Sequence, residues 1–238
     1  AIFVTAGAAN ALGATPDRAP TLPGGDFKTV VPFEEGKDSV LIAPFRMDSE
    51  VVTNGEFLAF VKSHPDWQRS HAPRLFAGEG YPGHWKDDLE LGKDVLAGQP
   101  VTRVSWFAAT EYCDARGGRL PRWHEWEFAA AADEDRFDAR RDPAWRQRIL
   151  AWYAVPSNRA LPEVPAGAVN AWGLYDMQGL VWEWVEDYNA LLVSSDNREQ
   201  GGADKLQFCG AGAITMEQKE NYAVLMRVLA GYVVGSVF

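Results

Sequence analysis

The chain has 238 residues, 47% hydrophobic and 24% charged, with a formal net charge of -10 at pH 7. That length suits one large domain or two small ones, and one is expected. The acidic balance, with Lys and Arg scattered, argues against a nucleic-acid partner, and no run approaches the roughly eighteen apolar residues of a membrane-spanning helix.

Ten tryptophans and fourteen prolines predict an irregular, loop-rich fold pinned by aromatic side chains. Residues 1–20 lack clear periodicity and read as an arm or leader, with the domain proper over 21–238. The opening A-I-F-V-T-A-G-A-A-N-A-L-G-A-T-P is small and weakly apolar without a basic start. It reads either as a mature N-terminus after export or as the point where the piece in hand begins. Pro23, Gly24 and Gly25 make a turn into a strand over 27–33, and a second strand over 39–47 completes a hairpin. Thr53 and Glu56 have the spacing of a capping box, so a helix starts there, with Phe57, Leu58, Phe60 and Val61 on one face and a stop at His64-Pro65.

Over 67–99 glycines and prolines break every pattern, and Phe76, Tyr81 and Trp85 are expected to pin this loop to the core. His71 and His84 read as surface or hydrogen-bonded packing residues rather than ligands. Ser105 caps a helix running through Arg116, with Trp106, Ala109, Tyr112 and Cys113 as its apolar stripe. Pro121 leads a further helix through Trp123, Trp126 and Phe128 to the alanine run 129–132. His124 and Glu125 are expected on its surface, since no second histidine follows at metal-binding spacing. The charge-dense stretch 133–148 reads as solvated, anchored by Trp145. Later, 189–202 reads as a polar loop, 208–215 as a small-residue strand or turn, and 222–238 as a closing strand. Cys113 and Cys209, far apart in sequence, are read as a structural disulfide or as two buried thiols.

The most informative stretch is 170–187, N-A-W-G-L-Y-D-M-Q-G-L-V-W-E-W-V-E-D. Gly173 and Gly179 mark two turns, and Trp172, Trp182 and Trp184 supply apolar surface. In an extended segment Trp182 and Trp184 share one face while Val181 and Glu183 share the other, which aims Glu183 at a specific partner. That partner is either an arginine or a hard cation such as Ca²⁺, held by Asp176, Glu183 and carbonyls of the intervening turn. The chain has no P-loop, nucleophile elbow, H-E-x-x-H or dinucleotide fingerprint, and its four histidines form no spaced triad.

Three segments resemble the formylglycine-generating-enzyme-like (sulfatase-modifying factor) superfamily: V-T-N-G-E-F-L-A-F-V at 52–61, V-S-W-F-A-A-T-E-Y-C-D-A-R-G-G-R-L-P-R-W-H-E-W-E-F-A-A at 104–130, and G-L-Y-D-M-Q-G-L-V-W-E-W at 173–184. The resemblance implies an α+β fold, an irregular, loop-rich variant of the C-type lectin. It also implies one structural Ca²⁺, with Asp176 and Glu183 as side-chain ligands and Gly179 and Val181 as carbonyl ligands. The family's other calcium site has no match over 157–169, so one ion is expected.

The family's formylglycine generators use a cysteine pair after a G-G-S-like turn to hold copper. Here that turn resembles Gly210-Ala211-Gly212, and 213–222 contains no cysteine, so no copper is expected. Cys113 matches a position that is often disulfide-bonded in exported members, and Cys209 is its one available mate. The family's cleft implies Trp182, Gly212 and Thr215 as substrate-binding residues. Glu217, Glu220 and Tyr222 there are either proton-transfer groups or solvated surface. The resemblance to cysteine-less members implies a periplasmic or otherwise exported protein that assists oxidative maturation of a peptide siderophore precursor of the pyoverdine type. The other reading is a non-catalytic binding or accessory protein, for example for nitrite reductase.

Overall fold

The structure, a computed structural model, describes residues 4–5, 18–29, 38–77, 80–154 and 160–187. Its strands are β1 (Val4–Thr5), β2 (Thr21–Leu22), β3 (Gly25–Lys28), β4 (Ser39–Ile42) and β5 (Phe45–Met47). β3 and β4 pair antiparallel as the expected hairpin, but the register starts with Gly25 opposite Ile42, two residues before the strand expected over 27–33, of which 30–33 lie outside the described residues. The single strand predicted over 39–47 is instead two strands in different sheets. Pro44 between them has no N–H to give to a ladder, so the chain leaves one sheet and enters another. β5 is the middle strand of the second sheet, antiparallel to both β1 and β2. Val4 and Thr5, within the stretch read as an arm, thus pair with Met47 and Arg46. At Gly24, where φ is +64°, a Cβ would lie 2.2 Å from the Ile42 carbonyl oxygen, so this turn accepts glycine alone.

Helix α1 (Asn54–Ser63) begins at the predicted capping box: Glu56 N–H donates to Thr53 Oγ1 at 3.2 Å and Thr53 N–H to Glu56 Oε2 at 2.8 Å. Such a cap contributes about 1 kcal/mol. Phe57, Phe60 and Val61 are buried as expected, while Leu58 is only partly so. A short α2 (Arg74–Ala77) follows, and then α3 (Trp106–Ala115), whose N-cap Ser105 accepts from the Ala108 N–H. Tyr81 and Trp85 pin the intervening loop in the core, but Phe76 does not. It is exposed and packs edge-on against Phe107, with ring centroids 4.9 Å apart.

α4 (Trp123–Ala130) is shorter than the run to Ala132 predicted for it, and it is buried almost all round. Its His124 and Glu125 are therefore not a surface pair: each is 8% exposed. The reason lies in W-H-E-W-E-F-A-A, where large apolar residues fall on every side and the carboxylates are met by arginines. Arg119 grips Glu125 through two bonds of 2.8 and 2.7 Å. The stretch read as solvated charge contains a further helix, α5 (Pro143–Tyr153), capped by Asp142 and seated by Trp145 and Ile149 against Ala139.

The described residues thus combine helices with small antiparallel sheets in separate stretches, an α+β arrangement. One core cluster joins Leu22, Phe27, Phe45 and Met47 to Trp123 and Trp126 of α4 and to Leu174, Met177 and Val185. A second gathers the apolar faces of α1 and α3 around Tyr81, Trp85 and Leu120. Each large side chain fully buried there contributes about 1.5–3 kcal/mol. Among the described residues no helix is long and apolar enough to cross a membrane.

Cys113 is a free thiol in the structure, 0% exposed, and burial pushes its pKa up to about 12. Cys209, its expected mate, lies outside the described residues. Since the thiolate is the reactive form, Cys113 contributes no fast-reacting thiol at pH 8 until the protein is unfolded. Titration with a chromogenic disulfide reagent in native and denaturing buffer checks this.

Candidate metal centre and its surroundings

The segment 170–187 is held by its own turns before it meets anything else. Asn170 opens it: its Oδ1 accepts from the N–H groups of Trp172 and Leu174 at 2.9 and 3.1 Å, and its Nδ2 donates to Ala129 of α4 at 3.0 Å. Gly173 and Gly179, the two turn glycines expected, have φ values of +82° and +84°. Gly179 has a second constraint, because a Cβ there would come within 2.8 Å of the Trp152 ring at the end of α5. Asp176 also sits in the left-handed region, at φ +54°, which aspartate tolerates better than most residues. Its Oδ2 accepts from the Ala166 N–H at 2.9 Å, so the carboxylate is anchored against the preceding loop.

Beyond Gly179 the side chains alternate in burial, the period of two expected for this stretch. Glu183 and Val185 point inward, 7% and 6% exposed, while Trp182 is 39% exposed. Glu183 Oε2 accepts from the indole Nε1 of Trp126 at 2.6 Å. Trp184 faces away from that core and donates to the Val104 carbonyl at 2.8 Å, and Trp106 donates to the Val185 carbonyl at 2.9 Å. Two further bonds clamp the end: Glu186 N–H to the Pro121 carbonyl at 2.8 Å, and Trp123 N–H to Asp187 Oδ1 at 2.9 Å. Arg122 pairs with Glu186 at 3.1 Å. The segment is therefore tied to the start of α3, the start of α4 and the loop before α4.

Burial dominates the local electrostatics. It pushes the Asp187 carboxyl above its ordinary range despite the Trp123 N–H, and it lowers the His124 imidazole despite the neighbouring Glu125. Among the described residues no group of three or more His, Cys, Asp or Glu side chains converges on a metal position. A site here has to combine Asp176 and Glu183 with main-chain carbonyls such as those of Gly179 and Val181. Every donor in that set is oxygen, the chemistry a hard cation takes, and none is a thiolate.

Of the substrate-binding residues expected, Trp182 is placed at the surface beside Glu183. Gly212 and Thr215 lie outside the described residues, as do Glu217, Glu220 and Tyr222. Trp126 was missed by the sequence reading as a partner of Glu183. Nothing local signals it, because the two residues are joined only by the packing of α4 against the extended segment.

A family model for a sulfatase-modifying factor enzyme 1-like domain matches residues 8–225. The formylglycine-generating enzyme of Streptomyces coelicolor is 29% identical, over 70% of this chain and 68% of its own. The hercynine oxygenase of Mycobacterium tuberculosis is 31% identical, over 60% of this chain and 38% of its own. The inactive C-alpha-formylglycine-generating enzyme 2 of Mus musculus is 28% identical, over 69% of this chain and 67% of its own. These relatives are thus named as two enzymes and one inactive protein.

Proposed function

The chain belongs to the sulfatase-modifying factor enzyme 1-like family, and on that premise we propose that it is an exported, calcium-holding member on a C-type-lectin-like scaffold that assists oxidative maturation of a pyoverdine-type siderophore precursor. The observation that carries the reading is the pairing of the family match with a Gly210-Ala211-Gly212 sequence after which 213–222 has no cysteine. Copper(I) needs soft thiolate ligands, so the work of a formylglycine generator is not assigned to it. Hercynine oxygenase supports oxidative chemistry as a family theme.

Calcium is held by the Asp176 and Glu183 carboxylates with the Gly179 and Val181 carbonyls, and its role is structural. It joins the turn at Gly179 to the extended stretch that presents Trp182. The all-oxygen donor set and the positive φ at Gly179 fit that ion. Trp182 offers a flat apolar face to a peptide-linked aromatic precursor, and the family resemblance assigns Gly212 and Thr215 to the same binding and Glu217, Glu220 and Tyr222 to proton transfer.

The test is to incubate the purified protein in air with the reduced siderophore precursor and to follow chromophore absorbance with and without chelator. Catalytic colour formation is the expected result. A rate equal to the spontaneous one, in folded and calcium-loaded protein, supports the second reading, a non-catalytic binding or accessory protein. That reading is favoured by the similarity to the inactive enzyme 2.

A further inference from the structure

Glu183 is a carboxylate placed almost entirely out of water between two tryptophans, and its orientation has to be set by what surrounds it. One oxygen, Oε2, is fixed at 2.6 Å by the indole N–H of Trp126. Trp126 is itself 3% exposed and sits in the core cluster with Met177 and Val185, which flank the same segment. Its ring cannot swing without disturbing that packing, so the N–H points at a fixed place. An indole N–H is a donor without a formal charge, so it fixes the direction of the oxygen it holds and adds no cation of its own at that position.

We propose that Trp126 is a positioning residue for the calcium site: by holding Glu183 Oε2 from the core side it turns the carboxylate to the orientation in which it ligates the ion. The proposal rests on the calcium reading above. Outer-shell partners of this kind tune metal affinity through the ligand they hold, and their loss weakens binding typically 10–100-fold.

Calcium chloride titrated calorimetrically into chelator-stripped protein, wild type beside Trp126→Phe, tests it. Trp126→Phe keeps an aromatic ring but removes the N–H. The expected result is a calcium Kd raised about 10-fold or more, with the melting temperature in chelator much less affected than the melting temperature in calcium. Trp126→His, which keeps a ring N–H, should recover part of the affinity and serves if the Phe variant does not fold. A Kd unchanged within about twofold, or a melting temperature lowered equally with and without calcium, overturns the proposal and leaves the calcium site standing. Failure of the wild-type protein to bind calcium removes the site and the positioning role together.

Discussion

Replacing Arg140 by Met destabilises the protein by about 3 kcal/mol, the scale set by breaking one side of a buried ion pair. Arg140 lies in the charge-dense stretch after α4, yet its side chain is only 15% exposed and reaches Glu127 at 3.2 Å, a carboxylate that is 1% exposed. It also donates to the Lys28 carbonyl at 2.7 Å, and its guanidinium lies 4.3 Å from the centre of the Phe27 ring. Thr29 Oγ1 donates to the other Glu127 oxygen at 2.6 Å. One arginine thus ties the end of β3 to α4, the helix that carries Trp126. Arg140→Met strips Glu127 of this cation while keeping much of the stem's apolar contact, so the loss reports charge rather than volume. Adding Glu127→Gln to Arg140→Met should restore part of it, because the buried charge that Arg140 met is then gone. Urea unfolding of the single and double variants checks both statements. A loss below about 1 kcal/mol for the single variant would place the pair among weak surface bridges.

Removing calcium is expected to lower the melting temperature by roughly 5–10 °C. At a free calcium concentration about 100 times Kd, binding to the folded state alone contributes about 2.7 kcal/mol. For a chain of this size each kcal/mol shifts the melting temperature by about 2–4 °C. The structural ground is that Asp176 and Glu183 lie on either side of the Gly179 turn, one anchored to the loop at Ala166 and the other to α4 through Trp126. An ion joining them therefore ties together parts of the chain that must separate on unfolding. Thermal unfolding in calcium and in chelator measures the difference. Glu183→Gln should show almost none of it, while equal melting temperatures for the wild type would count against a structural ion.

Elements whose signals are local were legible in the sequence. The Thr53–Glu56 box starts α1, Ser105 caps α3, and Gly173 and Gly179 mark turns with positive φ. The separation of Trp182 and Glu183 onto opposite faces was equally readable, because an extended chain has a period of two, whereas which face is buried was not. What escaped depends on partners distant in sequence or on weak patterns. α5 has a good start signal in Asp142-Pro143, but its core-facing residues are few, Trp145 and Ile149 among arginines, so its periodicity is faint. His124 and Glu125 were assigned to a surface because no second histidine follows at metal-binding spacing, which left them as ordinary polar residues of a helix. On α4 the wraparound burial and Arg119 reverse that expectation. The bond between Trp126 and Glu183 links two elements whose contact only the folded chain reveals. The expected residues of the cleft beyond Trp182 all fall outside the described residues, so their roles rest on the family resemblance.

The central claim is that 170–187 is built around one hard cation. Isothermal titration of chelator-stripped protein with calcium chloride tests it most directly, with Glu183→Gln alongside. The account predicts a single saturable site per chain in the wild type and its loss in the variant. The absence of saturable binding in folded wild-type protein, or identical binding in Glu183→Gln, would contradict it.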